Sequence, residues 1–360
     1  MKCSLKAGRF SALISINQPP RGIIVNKKYI NLLFLLTAVV LLGASSYSNA
    51  PEAMASTTPD VVSFKKLGLY PEGIDWDADR KRFMVTSIGQ GLVGTVTDDG
   101  TYTVFAQDHR LVSAVGIRID AARDRVLVCN SDPGASKSSS PETTGILAGL
   151  AVFQLSTGNL VKYLNLAEGI EGGHFCNDIA LAKDGTAYIT DSFSPIIYKV
   201  DPNYNVSVLI GNERFGGEGF NLNGIVVKDD YLLVAKFNEG LLFKVPLDKP
   251  ETFTQVNIKE TFPGADGLLW TSDGSLIVIG NAQIHGGTPG ATDKTYKLSS
   301  ADNWVSAEVV NTVDAGTVAQ TTGVVRDGEI YVLYSMLQVL FNPKTETHVE
   351  EFKIVKQNFN

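Results

Sequence analysis

Four oxygen-bearing side chains recur at matching places in the sequence. Glu72 precedes Gly73-Ile74-Asp75-Trp76, Asn177 precedes Asp178, Asn223 precedes Gly224, and Asp266 precedes Gly267. Two carboxylates and two amide carbonyls, with no sulfur or imidazole among them, suit a hard divalent cation: Ca²⁺ first, with Mg²⁺, Mn²⁺ or Zn²⁺ also compatible. The plainer reading is that Asn and Asp beside Gly are turn formers. It accounts for Asn223 and Asp266 singly and for Glu72, a poor turn residue, badly. Two histidines near the set, His174 and His285, have the ordinary pKa that suits proton transfer. His109 and His348 are expected in outer positions, and Lys236 is read as a solvated charge ahead of an oxyanion partner. The chain holds no GxSxG elbow, no HExxH pair and no Gly-rich phosphate loop.

Glu72 and Asp266 are nearly 200 residues apart, so the chemistry depends on elements that bring such positions together. Six similar segments do this: 71–87, 115–131, 177–192, 223–238, 266–281 and 322–335. Each opens with an apolar stretch at Gly or at Asp178, turns through Asp-rich residues and returns as a second apolar stretch. Their openings, at 73, 116, 178, 224, 267 and 323, average a step of about 50 residues, room for two more strands per unit. Short β-rich runs between DG, DD and DP turns, without a sustained 3.6-residue apolar period, predict an all-β chain. The expected fold is a six-bladed β-propeller with four-stranded blades around a central metal-bearing channel; a solenoid or sandwich is the alternative. Either Val61–Lys66 or Val349–Val355 is expected to complete the last blade. The longest step holds a polar, breaker-rich stretch at 131–145, expected to be a mobile loop that governs substrate choice rather than folding.

In such a fold the first strand of each blade lies nearest the axis. The strand starts would then place Glu72, Val115, Asn177, Asn223, Asp266 and Thr322 around one mouth. The ends of the second strands would rim it with Asn130, Asp132, Asp191, Ser192, Lys236, Asn238 and Asn281. Asp75, Asp77 and Asp184 are read as strand-turn residues.

Over residues 70–340 the chain resembles the senescence marker protein / gluconolactonase / luciferin-regenerating-enzyme-like family, and more distantly the paraoxonases and diisopropylfluorophosphatase. The resemblance rests on Pro71-Glu72-Gly73-Ile74-Asp75-Trp76, Asn177-Asp178 followed by Asp184-Gly185, Asn223-Gly224 and Ala265-Asp266-Gly267. It implies one axial divalent cation held by Glu72, Asn177, Asn223 and Asp266, which match the family in residue type, order and blade. It implies a hydrolase of lactones or other esters, the cation polarising a carbonyl or phosphoryl oxygen. Asp266 is then both ligand and candidate base or nucleophile, with His285 and His174 as the other catalytic candidates. A non-catalytic propeller binding a carbohydrate, peptide or protein on this face is one alternative. A strictosidine-synthase-like enzyme using a Glu without metal is another.

Hydrophobic residues make up 44% of the 360 and charged residues 19%, a globular composition. Residues 1–50 carry six basic groups and no acid, and the rest of the chain has 25 basic against 38 acidic groups. A body of that charge repels phosphate backbones, so nucleic acid is not an expected partner. Lys27-Lys28, the apolar run Ile30–Ala44 and the small residues Ser48-Asn49-Ala50 read as a signal peptide, too short to span a bilayer. Removal of residues 1–50 would leave 51–360 as a single propeller domain, secreted or periplasmic, without stable membrane insertion. A monomer or dimer acting on a small-molecule substrate is expected. Cys129 and Cys176 would then be either two buried small hydrophobes or one bridge.

Overall fold

A computed structural model describes residues 58–262, 264–284, 291–342 and 348–359. The 1–50 leader and His285 lie outside the described residues. Six four-stranded antiparallel sheets follow one another along the chain. The first pairs Ile74–Asp77, Arg82–Thr86, Leu92–Val96 and Tyr102–Gln107 in chain order. Blades 2 to 5 repeat that order, their inner strands being Ser113–Asp120, Cys176–Leu181, Leu222–Lys228 and Ala265–Trp270. The innermost strands of consecutive blades touch one another all round, and Gln320–Arg326 of blade 6 returns to Ile74–Asp77. The chain is thus a six-bladed β-propeller. Among the described residues, no helix is long and apolar enough to cross a membrane.

Burial explains why the two inner strands read as continuous apolar runs and the outer ones do not. Arg125–Ser131 and Ala187–Asp191 are buried at every residue, because neighbouring blades cover both faces. Glu308–Gly316, at the rim of blade 5, alternates exposed and half-buried residues. Glycine is required where blades close on the axis. A Cβ on Gly73, Gly116 or Gly224 would collide with the carbonyl oxygen of Val115, Asn177 or Asp266 on the next blade.

Blade 6 draws on both chain ends. Its order from the axis outward is Gln320–Arg326, Glu329–Tyr334, Glu351–Gln357 and Val61–Lys65. The two segments weighed as alternatives are therefore both used, and they pair with each other, Phe64 opposite Phe352. Arg326 strengthens the closure, its guanidinium donating to both Asp98 oxygens at 2.5 and 2.7 Å while lying 4.0 Å over the Trp76 ring.

Two details were open or otherwise read in the sequence. Cys129 and Cys176 form a disulfide, with Cα atoms 5.3 Å apart, between the second strand of blade 2 and the first of blade 3. The 131–145 stretch is tied down rather than loose. Buried Asp132 accepts hydrogen bonds from Gly134 N, Thr143 Oγ1 and Thr144 Oγ1 at 2.7, 2.7 and 3.0 Å, and from Ser139 Oγ. Burial opposes the charge, but these donors outweigh it and hold the carboxyl below its ordinary range. The serines and threonines that made this stretch look solvated are its internal ligands.

Candidate functional site

A local irregularity builds the site. In blades 2 to 6 the inner strand bulges near its start, setting two residues against one on the next strand. The register jumps between Ala114 and Ile117, Cys176 and Ile179, Leu222 and Ile225, Ala265 and Leu268, and Gln320 and Gly323. The first bulge residues are thus Val115, Asn177, Asn223, Asp266 and Thr321. Together with Glu72, which stands just before the inner strand of blade 1, they line one cavity on the axis. The blade 6 member is Thr321 and not Thr322. Aligning the repeats on Gly323 misplaced it by one residue, because in this blade Thr322 fills the place that Gly116, Gly224 and Gly267 fill in theirs. Thr321 donates its hydroxyl to the Glu72 carbonyl at 2.7 Å and closes the ring.

The structure brings Glu72, Asn177, Asn223 and Asp266 together, each at most 7% exposed. Glu72 Oε2 and Asn177 Oδ1 are buried without a hydrogen-bond partner. Ser192 Oγ accepts from Asn177 Nδ2 at 2.8 Å, which leaves the amide oxygen as the free end. Ser192 in turn donates to the Leu222 carbonyl at 2.5 Å. Burial pushes both carboxyls well above their ordinary range. The charges of Asp266 and Asp178 push Glu72 further, against Arg118; hydrogen bonds from Asn281 and Asn223 oppose the rise at Asp266. Two buried carboxylates with unpartnered oxygens beside them are a poor arrangement for a cavity of neutral contents and a good one for a dication. Among the described residues no three His, Cys, Asp or Glu side chains form a metal cluster. The donor set here is half amide.

The carboxylates outside this ring have other duties. Asp178, the second bulge residue of blade 3, lies 3.5 Å from Arg118 and accepts from Ile179 N at 2.8 Å. Asp75 accepts from Ile119 N on the adjoining blade at 2.7 Å. Asp77 pairs with Arg82 at 3.0 Å, and Asp184 caps its turn through Thr186 N at 2.9 Å.

The cavity measures about 40 Å³, space for roughly two or three water molecules. Its walls are phenylalanine-rich: Phe175, Phe220, Phe237 and Phe341 line it with Ile88 and Leu337. The rings interlock. Phe175 lies 5.1 Å from Phe220 and 5.2 Å from Phe193, and Phe193 lies 4.8 Å from Phe220.

Most of the expected polar rim is spent on scaffold. Asn130 accepts from Val112 N and donates to Arg110 O and Tyr163 Oη, all at 2.8 Å. Lys236 is buried, neither solvated nor free for an oxyanion; its ammonium donates to Gly216 O at 2.7 Å and to Glu239. Only Asn281 and Ser192 reach the floor, the former donating to Asp266 Oδ2 at 3.4 Å.

His174 is buried and does not line the cavity. Its Nδ1 lies 2.8 Å from Asp191 Oδ2, its Nε2 3.2 Å from Ile170 O, and Tyr198 Oη donates to the same Asp191 oxygen at 2.8 Å. A carboxylate on one nitrogen and a carbonyl on the other are both satisfied only by the imidazolium, and the Asp191 bond raises the His174 pKa. Asp191 Oδ1 meanwhile accepts from Phe175 N, Phe193 N and Ser194 N at 2.8, 3.0 and 2.9 Å. This cluster positions the aromatic wall, a placement at odds with the expected proton transfer. His109 and His348 are exposed. The aromatic wall went unread in the sequence, although Phe175, Phe193, Phe220 and Phe237 each stand within three residues of Asn177, Ser192, Asn223 or Lys236.

No family model matches the sequence, and no curated protein matches it. Solved structures match over most of the chain. The major allergen Mala s 1 of Malassezia sympodialis aligns with a TM-score of 0.60 at 16% identity, over 84% of this chain and 98% of its own. A gluconolactonase from Xanthomonas campestris gives 0.54 at 12%, over 82% and 89%. A calcium-binding regucalcin from Agrobacterium tumefaciens gives 0.53 at 16%, over 82% and 93%. At these identities the likeness is one of fold, and in fold this chain resembles the gluconolactonase-like and regucalcin-like six-bladed propellers.

Proposed function

We propose that the chain is an exported, divalent-cation-dependent hydrolase of the lactonase or esterase type. The observation that carries this reading is the pair of orphaned oxygens, Glu72 Oε2 and Asn177 Oδ1, buried beside Asp266 and Asn223 on the axis. Those four residues would hold the cation, Ca²⁺ ahead of Mg²⁺, Mn²⁺ or Zn²⁺, with their oxygens as ligands. When bound, the cation supplies Lewis acidity toward a carbonyl or phosphoryl oxygen. Asp266 is the carboxylate placed to take a proton or to attack. In the base role it accepts a proton from the attacking water as the acyl C–O bond forms. The bond to the ring oxygen then breaks, and that oxygen leaves as a hydroxyl carrying the proton. Asn281 holds Asp266 from outside, and the phenylalanine wall keeps bulk water from the floor.

Export is supported by the Cys129–Cys176 bridge, which persists in an oxidising compartment, and by the leader-like residues 1–50. The substrate is a small molecule, and nucleic acid and stable membrane insertion form no part of the proposal, nor does assembly beyond a monomer or dimer.

The test is a panel of lactones, esters and phosphotriesters, assayed with and without chelator on the wild type and on Asp266→Asn. Chelation should abolish turnover and added Ca²⁺ restore it. Asp266→Asn at saturating Ca²⁺ should lose a factor on the order of 10² or more. Hydrolysis indifferent to chelator contradicts the cation requirement. A fully active Asp266→Asn would leave Asp266 as a ligand only.

A further inference from the structure

We infer that the substrate is an ester or lactone carrying an alkyl or aryl substituent, not a polyhydroxylated sugar lactone. This inference rests on the hydrolase reading above and narrows it. Recognition depends on what surrounds the polar floor, and among the described residues the rest of the lining is apolar apart from Thr321. Thr321 has already given its hydroxyl proton to Glu72 O. Of the polar groups at the second-strand ends, Asn130 is engaged with Arg110, Val112 and Tyr163 and Lys236 with Gly216 and Glu239, while Asn281 and Ser192 are spent on the floor residues Asp266 and Asn177. A sugar lactone would press its hydroxyls against phenyl rings, and each stranded hydroxyl costs roughly tenfold in affinity.

The apolar wall is also held in place. Asp191 fixes the backbone of Phe175 and Phe193, His174 and Tyr198 anchor Asp191, and Phe220 packs edge-on to Phe175. A buried ion pair spent on placing two aromatic residues makes a pre-organised apolar pocket over a carboxylate and amide floor. A ligand complementary to both parts seats only its carbonyl head in the cavity of about 40 Å³ over the floor and lays its hydrocarbon substituent along the phenyl rings toward the opening.

The experiment has two arms on the calcium-loaded protein. In the first, kcat/KM is measured for γ-butyrolactone, γ-hexanolactone, γ-octanolactone and glucono-δ-lactone. Each added methylene should raise kcat/KM about threefold to fourfold until the wall is covered, and glucono-δ-lactone should fall at least tenfold below γ-octanolactone. In the second, calorimetry compares cyclopentanone with 2-pentylcyclopentanone, a carbocyclic pair that water cannot hydrolyse, on wild type and Phe220→Ser. The pentyl group should tighten binding tenfold or more in the wild type and by much less in Phe220→Ser. Turnover that ignores chain length, or that favours glucono-δ-lactone, overturns the inference and leaves the hydrolase reading standing. If no lactone is cleaved yet the pentyl group still tightens binding, the hydrolase reading falls and the apolar site stands. A pentyl group that adds no affinity overturns the inference whatever the kinetics.

Discussion

At the scale of single residues, the proposed ligand set depends on partners that fix which atom faces the axis. An asparagine amide presents oxygen or nitrogen with almost equal ease, and Asn177 is committed because Ser192 accepts from its nitrogen at 2.8 Å. Ser192→Ala removes that commitment while leaving Glu72, Asn177, Asn223 and Asp266 themselves in place. Calcium affinity should drop about 10-fold to 100-fold while the far-ultraviolet circular dichroism stays that of the wild type. Calorimetric titration checks this, and an unchanged affinity would mean that Asn177 is oriented by something else. The four oxygen donors were legible in the sequence because each sits beside a small or Asp residue at a repeated place. Thr321 was not, because Gly323 is a false landmark in blade 6. The phenylalanines were not either, since an aromatic residue in an apolar-rich chain looks the same whether it fills a core or lines a wall.

At the scale of elements, the inner-strand bulge and the loops it adjoins shape the site. The hairpins were readable from alternation and Asp-rich turns, but a bulge is a register effect between two strands and has no signature in either alone. For the same reason His174, close to Asn177 in sequence, belongs to the blade's scaffold: its partner Asp191 lies at the end of the neighbouring strand. The Asp191 bond raises the His174 pKa against the opposing effect of burial. Its stabilisation is therefore complete below the ordinary histidine value and is lost as pH rises through the raised one. Tyr198, which shares Asp191, stays neutral because burial holds its hydroxyl far above its ordinary value. His174→Gln should cost on the order of 1.5–3 kcal/mol at pH 6 and progressively less at higher pH. Denaturant unfolding at pH 6 and pH 9 measures this, and an equal deficit at both would show that the imidazolium is not the stabilising form.

At the scale of the whole molecule, the ring places residues from all six blades within one cavity and uses both chain ends to close it. Blade number and order were legible from the repeat. The joint use of Val61–Lys65 and Glu351–Gln357 was not, because strand propensity does not say which neighbour a strand pairs with. The Cys129–Cys176 bridge was open for a similar reason: two thiols 47 residues apart are joined by the packing of blades 2 and 3. Three buried carboxylates, Glu72, Asp178 and Asp266, and the half-buried Asp75 gather near this axis; burial raises the pKa of each, and Arg118 offsets the rise at Glu72, Asp75 and Asp178. A cation bound at the ring would relieve that excess and link the blades whose residues hold it. The most direct measurement is calorimetric titration of Ca²⁺ into chelator-treated protein, wild type beside Glu72→Gln. The account predicts one site per chain in the wild type and at least a 100-fold weaker one in a normally folded Glu72→Gln. A wild type that binds no divalent cation, or a Glu72→Gln that binds as tightly, would contradict the axial site.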